Sequence, residues 1–400
     1  MESRIKHIYL KALCITFVII TFSLIIDFYP PKTIPLVATD VADMSALKAE
    51  DLVVQGYDSE GRLWASRGMW AYRLDESFSQ FQRQYRVPTG VSLFWLRNFA
   101  IVRTLTRRHE CIELLPSLAG ETLAMSAGKL WLKKGDEDFK EVFTLDHYGI
   151  GDPGVRNDGL VRASESSLFL GEYFRNTKRG PVKLLRSLDN GLNWETAYEF
   201  PPGSIRHIHA VQQDAYSNRL WVLTGDHDHE ASIYWSDDGG KQLHSLGTDA
   251  QRWRATQVVF TEKSIIWGAD VTRVRGNESG IYRWDRELNT LNKLRDVDGA
   301  IFYATKLAGD TIVMTTVREG GGNEKDLLTR LYVFSEESES HDIKEIEFGI
   351  WKWQGKYAKL RLQRGQGATH LAMTVLNQTT HDNALLIIPE AELKKVTGLQ

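Results

Sequence analysis

The chain has 400 residues, 42% of them hydrophobic and 25% charged, with a net charge of −3 when its 11 histidines are counted neutral. This is an ordinary globular balance with ample core-forming material, and its weak negative charge argues against nucleic acid as a partner. Cys14 and Cys111 are the only cysteines, so no disulfide framework is expected.

The first 29 residues differ from the rest. Arg4, Lys6 and Lys11 precede an uncharged apolar run from Ala12 to Ile26, which Asp27 closes. Cations before and an acid after such a run direct the N-terminus towards the cytoplasm. The run is short for a bilayer-spanning helix unless residues 8–11 join it. It reads as a signal peptide or signal anchor, and the lack of a small-x-small site close behind it favours an uncleaved anchor. Cys14 sits inside it as an apolar residue. The expectation is a membrane-inserting helix over 1–29, a linker over 30–48, and a body in the cell envelope, extracytoplasmic and either membrane-anchored or secreted.

After residue 48 helical periodicity is rare. Short β-rich runs recur between Gly, Asp and Asn turns, among them "RLWAS", "KLWLKK", "SLFLGEYF", "RLWVLTGD", "SIIWGAD" and "TIVMTTV". Fourth strands are expected to end near Arg83, Leu145, Glu199, Leu246, Leu294, Ile346 and Leu393. That gives a period of roughly fifty residues, in the range of propeller blades. The predicted fold is all-β, a β-propeller over 49–395 with seven four-stranded blades, six being the alternative count. Two β-sandwiches fit the period less well. Trp221 and Trp267 fall in second strands and read as core.

Two units carry the same turn between their third and fourth strands. Residues 187–194 read "SLDNGLNW", with Ser187, Asp189, Gly191 and Trp194; residues 236–243 read "SDDGGKQL", with Ser236, Asp238, Gly240 and Leu243. Asp accepts hydrogen bonds from turn amides, Gly permits positive φ, and the last apolar residue packs under the hairpin. The pattern resembles the Asp-box, or BNR, repeat of sialidase-like propellers. The stretch 160–290 also looks like bacterial Asp-box proteins associated with surface polysaccharide. The resemblance implies that these Ser and Asp residues belong to the fold. It does not carry the sialidase reaction over. "YRVP" at Tyr85–Pro88 looks like the motif of a sialidase's first carboxylate-binding arginine. However, Tyr85 closes an outer strand, which would place Arg86 far from the axis. The remaining arginines and the Tyr–Glu pair of that family have no assignable counterparts.

Propeller geometry gathers the starts of first strands and the loops between second and third strands at one mouth. His207 and His209 begin a first strand and share a face. The next strand ends in Asp226, and the loop His227–Glu230 follows. Aligned second-strand ends place acids in three consecutive units: Glu172, Asp226 and Asp270. Tyr173 and Arg175 follow the first, and Arg252 and Arg254 precede the strand leading to the last. Each has a structural reading as well: a strand-end acid can cap a turn, and a strand histidine can bond backbone. Three acids in register favour a functional mouth. Asp226, Glu172, Asp270 and His209 are the catalytic candidates. His207, Arg254, Arg252, Tyr173, Arg175 and Glu230 are the substrate-binding candidates. Consecutive residues of the loop Asp226–Glu230 rarely converge on one ion, so no metal and no cofactor is assigned; a cation held there would be Ca²⁺ or Mn²⁺ ahead of Zn²⁺.

The expected partner is a polysaccharide or oligosaccharide. A hydrolase would pair Asp226 with Glu172 or Asp270. A lyase would use His209 as base and Arg254 to neutralise a uronate. A non-catalytic glycan-binding or envelope-assembly propeller would use the same mouth without an acid–base pair, and a protein-interaction scaffold would use the blade rims. "NES" at Asn277 and "NQT" at Asn377 matter only in a glycosylating host.

Overall fold

The computed structural model describes residues 30–89, 99, 102–103, 110, 112–116, 120–148, 154–156, 158–271, 278–322, 324–339 and 341–399. The N-terminal apolar run, both cysteines and Asn277 lie outside these residues. Among the described residues no helix is long and apolar enough to cross a membrane.

The short β-branched and aromatic runs form strands, and the Gly, Asp and Asn punctuation forms the turns between them. Four consecutive sheets are plain antiparallel meanders of four strands. They run from Glu113–Pro116 to Lys140–Thr144, from Leu160–Arg162 to Glu195–Phe200, from Ile208–Gln213 to His244–Gly247, and from Ala255–Phe260 to Thr290–Asp296. The last strand of each is its most exposed. All of Ala255–Phe260 is buried, whereas most of Thr290–Asp296 is not. First strands therefore face the interior of the molecule and last strands face water.

Those first strands touch in sequence. Glu113–Pro116 packs beside Val53–Tyr57 and Leu160–Arg162, Ile208–Gln213 beside Leu160–Arg162 and Ala255–Phe260, and Ala300–Lys306 beside Ala255–Phe260 and Ala358–Leu362. The circuit closes where His370–Leu376 meets Val53–Tyr57 and where Gly56 bridges Arg364. Gly56 has φ 152°, and a Cβ there would lie 3.1 Å from the Arg364 Cβ, so only glycine allows this approach. The architecture is all-β and of propeller type. Between neighbouring sheets lie apolar layers. One joins Trp221 and Leu223 to Phe260 and Trp267, so both tryptophans are core as expected.

Both ends of the chain depart from the expected plan. Residues 30–48 are not a linker. Thr33–Pro35 pairs with Gln80–Arg86 at the edge of the first sheet, and Val37–Val41 and Met44–Glu50 are the outer strands of the last. Met44 and Ala46 share one face and are buried in one apolar layer, while Ala49 on the other face is buried in the next, which is why this segment docks as a strand. Leu47 lies opposite Ile387. Leu393, expected to close a strand, instead lies in the helix Glu390–Thr397, because the N-terminus has taken the outer position. The last sheet holds nine strands. Its two meanders are joined by the pairs Val317–Lys359 and Arg318–Ala358.

The two Asp-box turns have the same internal bonding. Ser187 Oγ donates to Asp189 Oδ1 at 2.8 Å and accepts from the Gly191 N–H at 2.8 Å. Ser236 Oγ makes the matching contacts with Asp238 and Gly240 at 2.8 and 2.9 Å. Gly191 and Gly240 have φ 89° and 81°. Asn377 is buried and donates to the carbonyls of Trp353 and Lys356, so "NQT" is a turn lock and not an exposed acceptor.

Candidate functional site

The site forms at the end of the molecule opposite the Asp boxes. In the sheet Ile208–Gln213 to His244–Gly247, Ile208 pairs with Thr224 and Leu220 with Ser236. His207, His209 and Asp226 are therefore at one end and the Asp box at the other. A register shift between Ile208 and Ala210 marks a bulge, a device that re-aims side chains at the end of a strand.

His207 Nε2 and His209 Nε2 each stand 3.6 Å from Asp226 Oδ1. The opposite nitrogens are committed to backbone. His207 Nδ1 is 2.9 Å from the Phe174 carbonyl oxygen and His209 Nδ1 is 3.1 Å from that of Ala255. A carbonyl only accepts, so each Nδ1 carries the proton and each neutral ring presents a bare lone pair at Nε2. Both Nε2 atoms are buried without a hydrogen-bond partner. With one Asp226 oxygen they form three ligand atoms within 4.8 Å of one another.

Charges around this trio are tightly arranged. Asp226 Oδ2 pairs with Arg206 at 2.5 Å and Oδ1 with Arg254 Nη2 at 3.1 Å. The same Arg254 nitrogen reaches Asp270 Oδ2 at 3.2 Å. Burial works against the Asp226 charge, yet its carboxyl stays well below the usual range, with the Arg206 and Arg254 guanidiniums paired to its two oxygens. Burial pushes the His209 imidazole down to about 3 and lowers His207 as well, with Asp226 opposing both. Both rings are therefore neutral near pH 7. Burial raises Asp270 to about 7 against the pull of Arg254, and its Oδ1 has no hydrogen-bond partner.

The structure sorts the candidate residues. His207, His209, Asp226, Arg254 and Asp270 meet. Tyr173 joins them, its ring stacked on His207 at 3.9 Å between centroids. Glu172, the third acid in register, does not join this network. Its side chain is buried, Oε2 accepts the Lys183 N–H at 2.8 Å, and burial raises its pKa. It serves as a strand-end cap. Glu230, expected on a ligand-facing loop, is 1% exposed and ion-paired with Arg179. Asp228–Glu230 forms a single helical turn, and His229 points outward with its side chain 66% exposed. The five residues Asp226–Glu230 therefore do not converge. Arg252 pairs with Glu278 at 3.3 Å, and Arg175 is exposed, its carbonyl accepting from Arg206 at 2.7 Å.

Four residues missing from the expected set belong here. Arg206 binds Asp226, and Gln251 Nε2 reaches the Asp226 carbonyl at 3.3 Å while its buried Oε1 has no partner. Glu319 follows Ile312–Arg318 directly and acts on Asp270 through space. It occupies the strand-end position of Asp226 and Asp270, and the sequence signal was the acid closing "TIVMTTVRE". Arg156 lies over the Tyr173 ring, 5.0 Å from its centroid, and nothing in the local sequence marks it.

The donor set fits a divalent first-row metal. Two imidazole nitrogens and one carboxylate oxygen suit Mn²⁺, Fe²⁺ or Zn²⁺ better than Ca²⁺, which takes oxygen ligands. The expectation of no assigned metal, with Ca²⁺ or Mn²⁺ ahead of Zn²⁺ if one were held, meets here a possible His/Asp site in which the orphaned Nε2 pair supplies what the loop alone lacked.

No family model and no curated protein matches the chain. Solved structures do. An oligogalacturonate lyase in complex with manganese aligns with TM-score 0.56 at 14% identity, covering 91% of this chain and 99% of that one. An oligogalacturonate lyase from Vibrio parahaemolyticus aligns with TM-score 0.54 at 11% identity, covering 90% and 99%. What these likenesses establish is a common propeller-type fold over nine-tenths of the chain.

Proposed function

We propose that the chain holds a divalent metal on His207, His209 and Asp226 and cleaves an acidic oligosaccharide by β-elimination. One observation carries the metal: two buried imidazoles with their tautomers fixed by Phe174 and Ala255 aim bare lone pairs at one carboxylate. The likeness to a lyase complexed with manganese supports both the metal and the substrate class. Bound there, the metal would act as a Lewis acid on a substrate oxygen. Three protein ligands leave coordination positions open, as catalytic sites require.

The chain's own residues hold this site in place. Arg206 and Arg254 orient and hold the charge of Asp226. Tyr173 forms a wall against His207. His209 then serves as a ligand and not as the base, and Arg254 is spent on Asp226 and Asp270, so it is not the uronate partner. The hydrolase reading is weaker. Asp270 is 1% exposed and shares its cation with Asp226, which leaves no accessible acid–base pair among the predicted carboxylates Glu172, Asp226 and Asp270. We further propose a seven-bladed ring closed by strands from both chain ends. The cations before Ala12–Ile26 support an exported, membrane-tethered body.

The test is incubation with oligogalacturonate, with manganese added or chelated. Metal-dependent appearance of unsaturated uronate ends supports the reading. New reducing ends without unsaturation would make the protein a hydrolase, and unchanged sugar with measurable binding would make it a glycan-binding propeller.

A further inference from the structure

Arg156 is unlike the other arginines of this mouth. Arg206 is paired with Asp226, Arg254 with Asp226 and Asp270, and Arg252 with Glu278. The Arg156 guanidinium makes no hydrogen bond or ion pair among the described residues. It rests instead between two aromatic rings, its Cζ 5.0 Å from the Tyr173 centroid and 4.5 Å from that of Phe302. Asp270 and Glu319 act on it through space only. The residue as a whole is half-buried.

The setting has a chemical consequence. Rings beside a guanidinium fix its position while leaving the N–H edge free, and that edge matches a carboxylate with two parallel hydrogen bonds. Little side-chain freedom remains to be lost on binding. Position adds to the case. Tyr173, which packs against Arg156, is stacked on His207 at 3.9 Å, so the free cation is one ring removed from a metal ligand. Tyr173 comes from the residue after Glu172, Phe302 from the inner strand Ala300–Lys306 of the last sheet, and Arg156 from the approach to Leu160–Arg162. Three separate segments meet there to hold one unpaired charge. Stacking alone would explain an arginine in this place, but not one left without an anion among the described residues, beside two acids that have other partners.

We propose that Arg156 is the substrate-carboxylate receptor of the mouth and sets its preference for acidic over neutral sugars. The inference rests on the lyase reading for the substrate class and is independent of the metal. The test compares wild type, Arg156→Gln and Arg156→Lys by calorimetric titration with oligogalacturonate and with a neutral oligosaccharide of the same length, alongside manganese titration and circular dichroism. The expected result is a loss of about tenfold to a hundredfold in oligogalacturonate affinity for Arg156→Gln. Neutral-sugar binding, manganese stoichiometry and fold are unchanged, and Arg156→Lys recovers part of the loss. If manganese does not bind wild type but the Arg156→Gln loss remains, the metal reading fails and the receptor stands. Oligogalacturonate affinity unchanged in a folded Arg156→Gln protein overturns the receptor. So does a wild type that binds neutral and acidic sugars equally, or an equal loss for both sugars in the variant.

Discussion

His209 is held by Ala255. Its Nδ1 donates to that carbonyl at 3.1 Å, which leaves Nε2 facing Asp226 at 3.6 Å. The carbonyl belongs to the first residue of the next sheet's inner strand, so the packing of one sheet on another selects the tautomer of a proposed metal ligand. Outer-shell bonds of this kind orient ligands and tune the ions they hold.

His209→Ala should weaken manganese binding by at least about a hundredfold, more than loss of an outer-shell partner would cause. Equilibrium dialysis with metal analysis reads this directly. A folded variant that retains wild-type manganese affinity would place the metal elsewhere.

Asp226→Asn should cost stability as well as metal. Arg206 and Arg254 would lose the carboxylate that pairs them, and breaking such a partly buried network costs about 3 kcal/mol. Urea unfolding of the apo protein isolates this effect. A change below about 0.5 kcal/mol would show that the two arginines find other partners without strain.

Asp158 predicts a pH effect outside the metal trio. It is half-buried, and Gln257 donates to one of its carboxyl oxygens while Arg364 stands 3.7 Å from the other. Burial pushes its carboxyl up to about 6 from 3.8, with Arg364 opposing. The folded state thus binds this proton more tightly than the unfolded chain. The contribution is fully present below pH 3.8 and is lost as pH rises to about 6. Asp158→Asn should flatten the stability–pH curve across that window by up to about 3 kcal/mol. A wild-type slope in the variant would assign the titration to another group.

Ser187→Ala and Ser236→Ala should each cost about 1 kcal/mol through the lost turn bonds. Both turns lie at the opposite end of their sheets from the site, so manganese affinity should not move. Thermal unfolding and metal titration of the same samples separate the two readouts, and a coupled loss would contradict the independence of the two ends.

Met44→Ala should cost about 2–5 kcal/mol, because this 0% exposed side chain belongs to the layer between the last strands. Removal of residues 30–50 should abolish cooperative unfolding altogether, since Ala384–Pro389 would lose its outer partner. A truncated chain that unfolds with wild-type cooperativity would return the segment to the status of a linker.

Much of this was legible from local pattern. The strand runs, the Asp-box bonding and the position of Asp226 next to His207 and His209 follow from alternation, turn chemistry and the rule that antiparallel neighbours share ends. The proposed metal site was not legible, because the eye falls on Asp226–Glu230 as a consecutive run. Glu230 turns inward to Arg179, and the other two ligands come from a strand some twenty residues earlier. Glu172 shares a register position with Asp226 yet caps the Lys183 amide, since equivalence along a strand does not fix where a side chain turns.

The sequence by itself determined most of the strand runs between the two ends of the body, where their turns fall, and that acids and histidines crowd one end of successive sheets. These depend on interactions within a few tens of residues. Only the tertiary structure decided the rest. Met44–Glu50 pairs with Ala384–Pro389 across almost the whole chain, the Phe174 and Ala255 carbonyls fix the two imidazoles, and Tyr173 and Phe302 converge on Arg156. Each needs groups from different sheets at one point, and closure of the strand circuit is what brings them there.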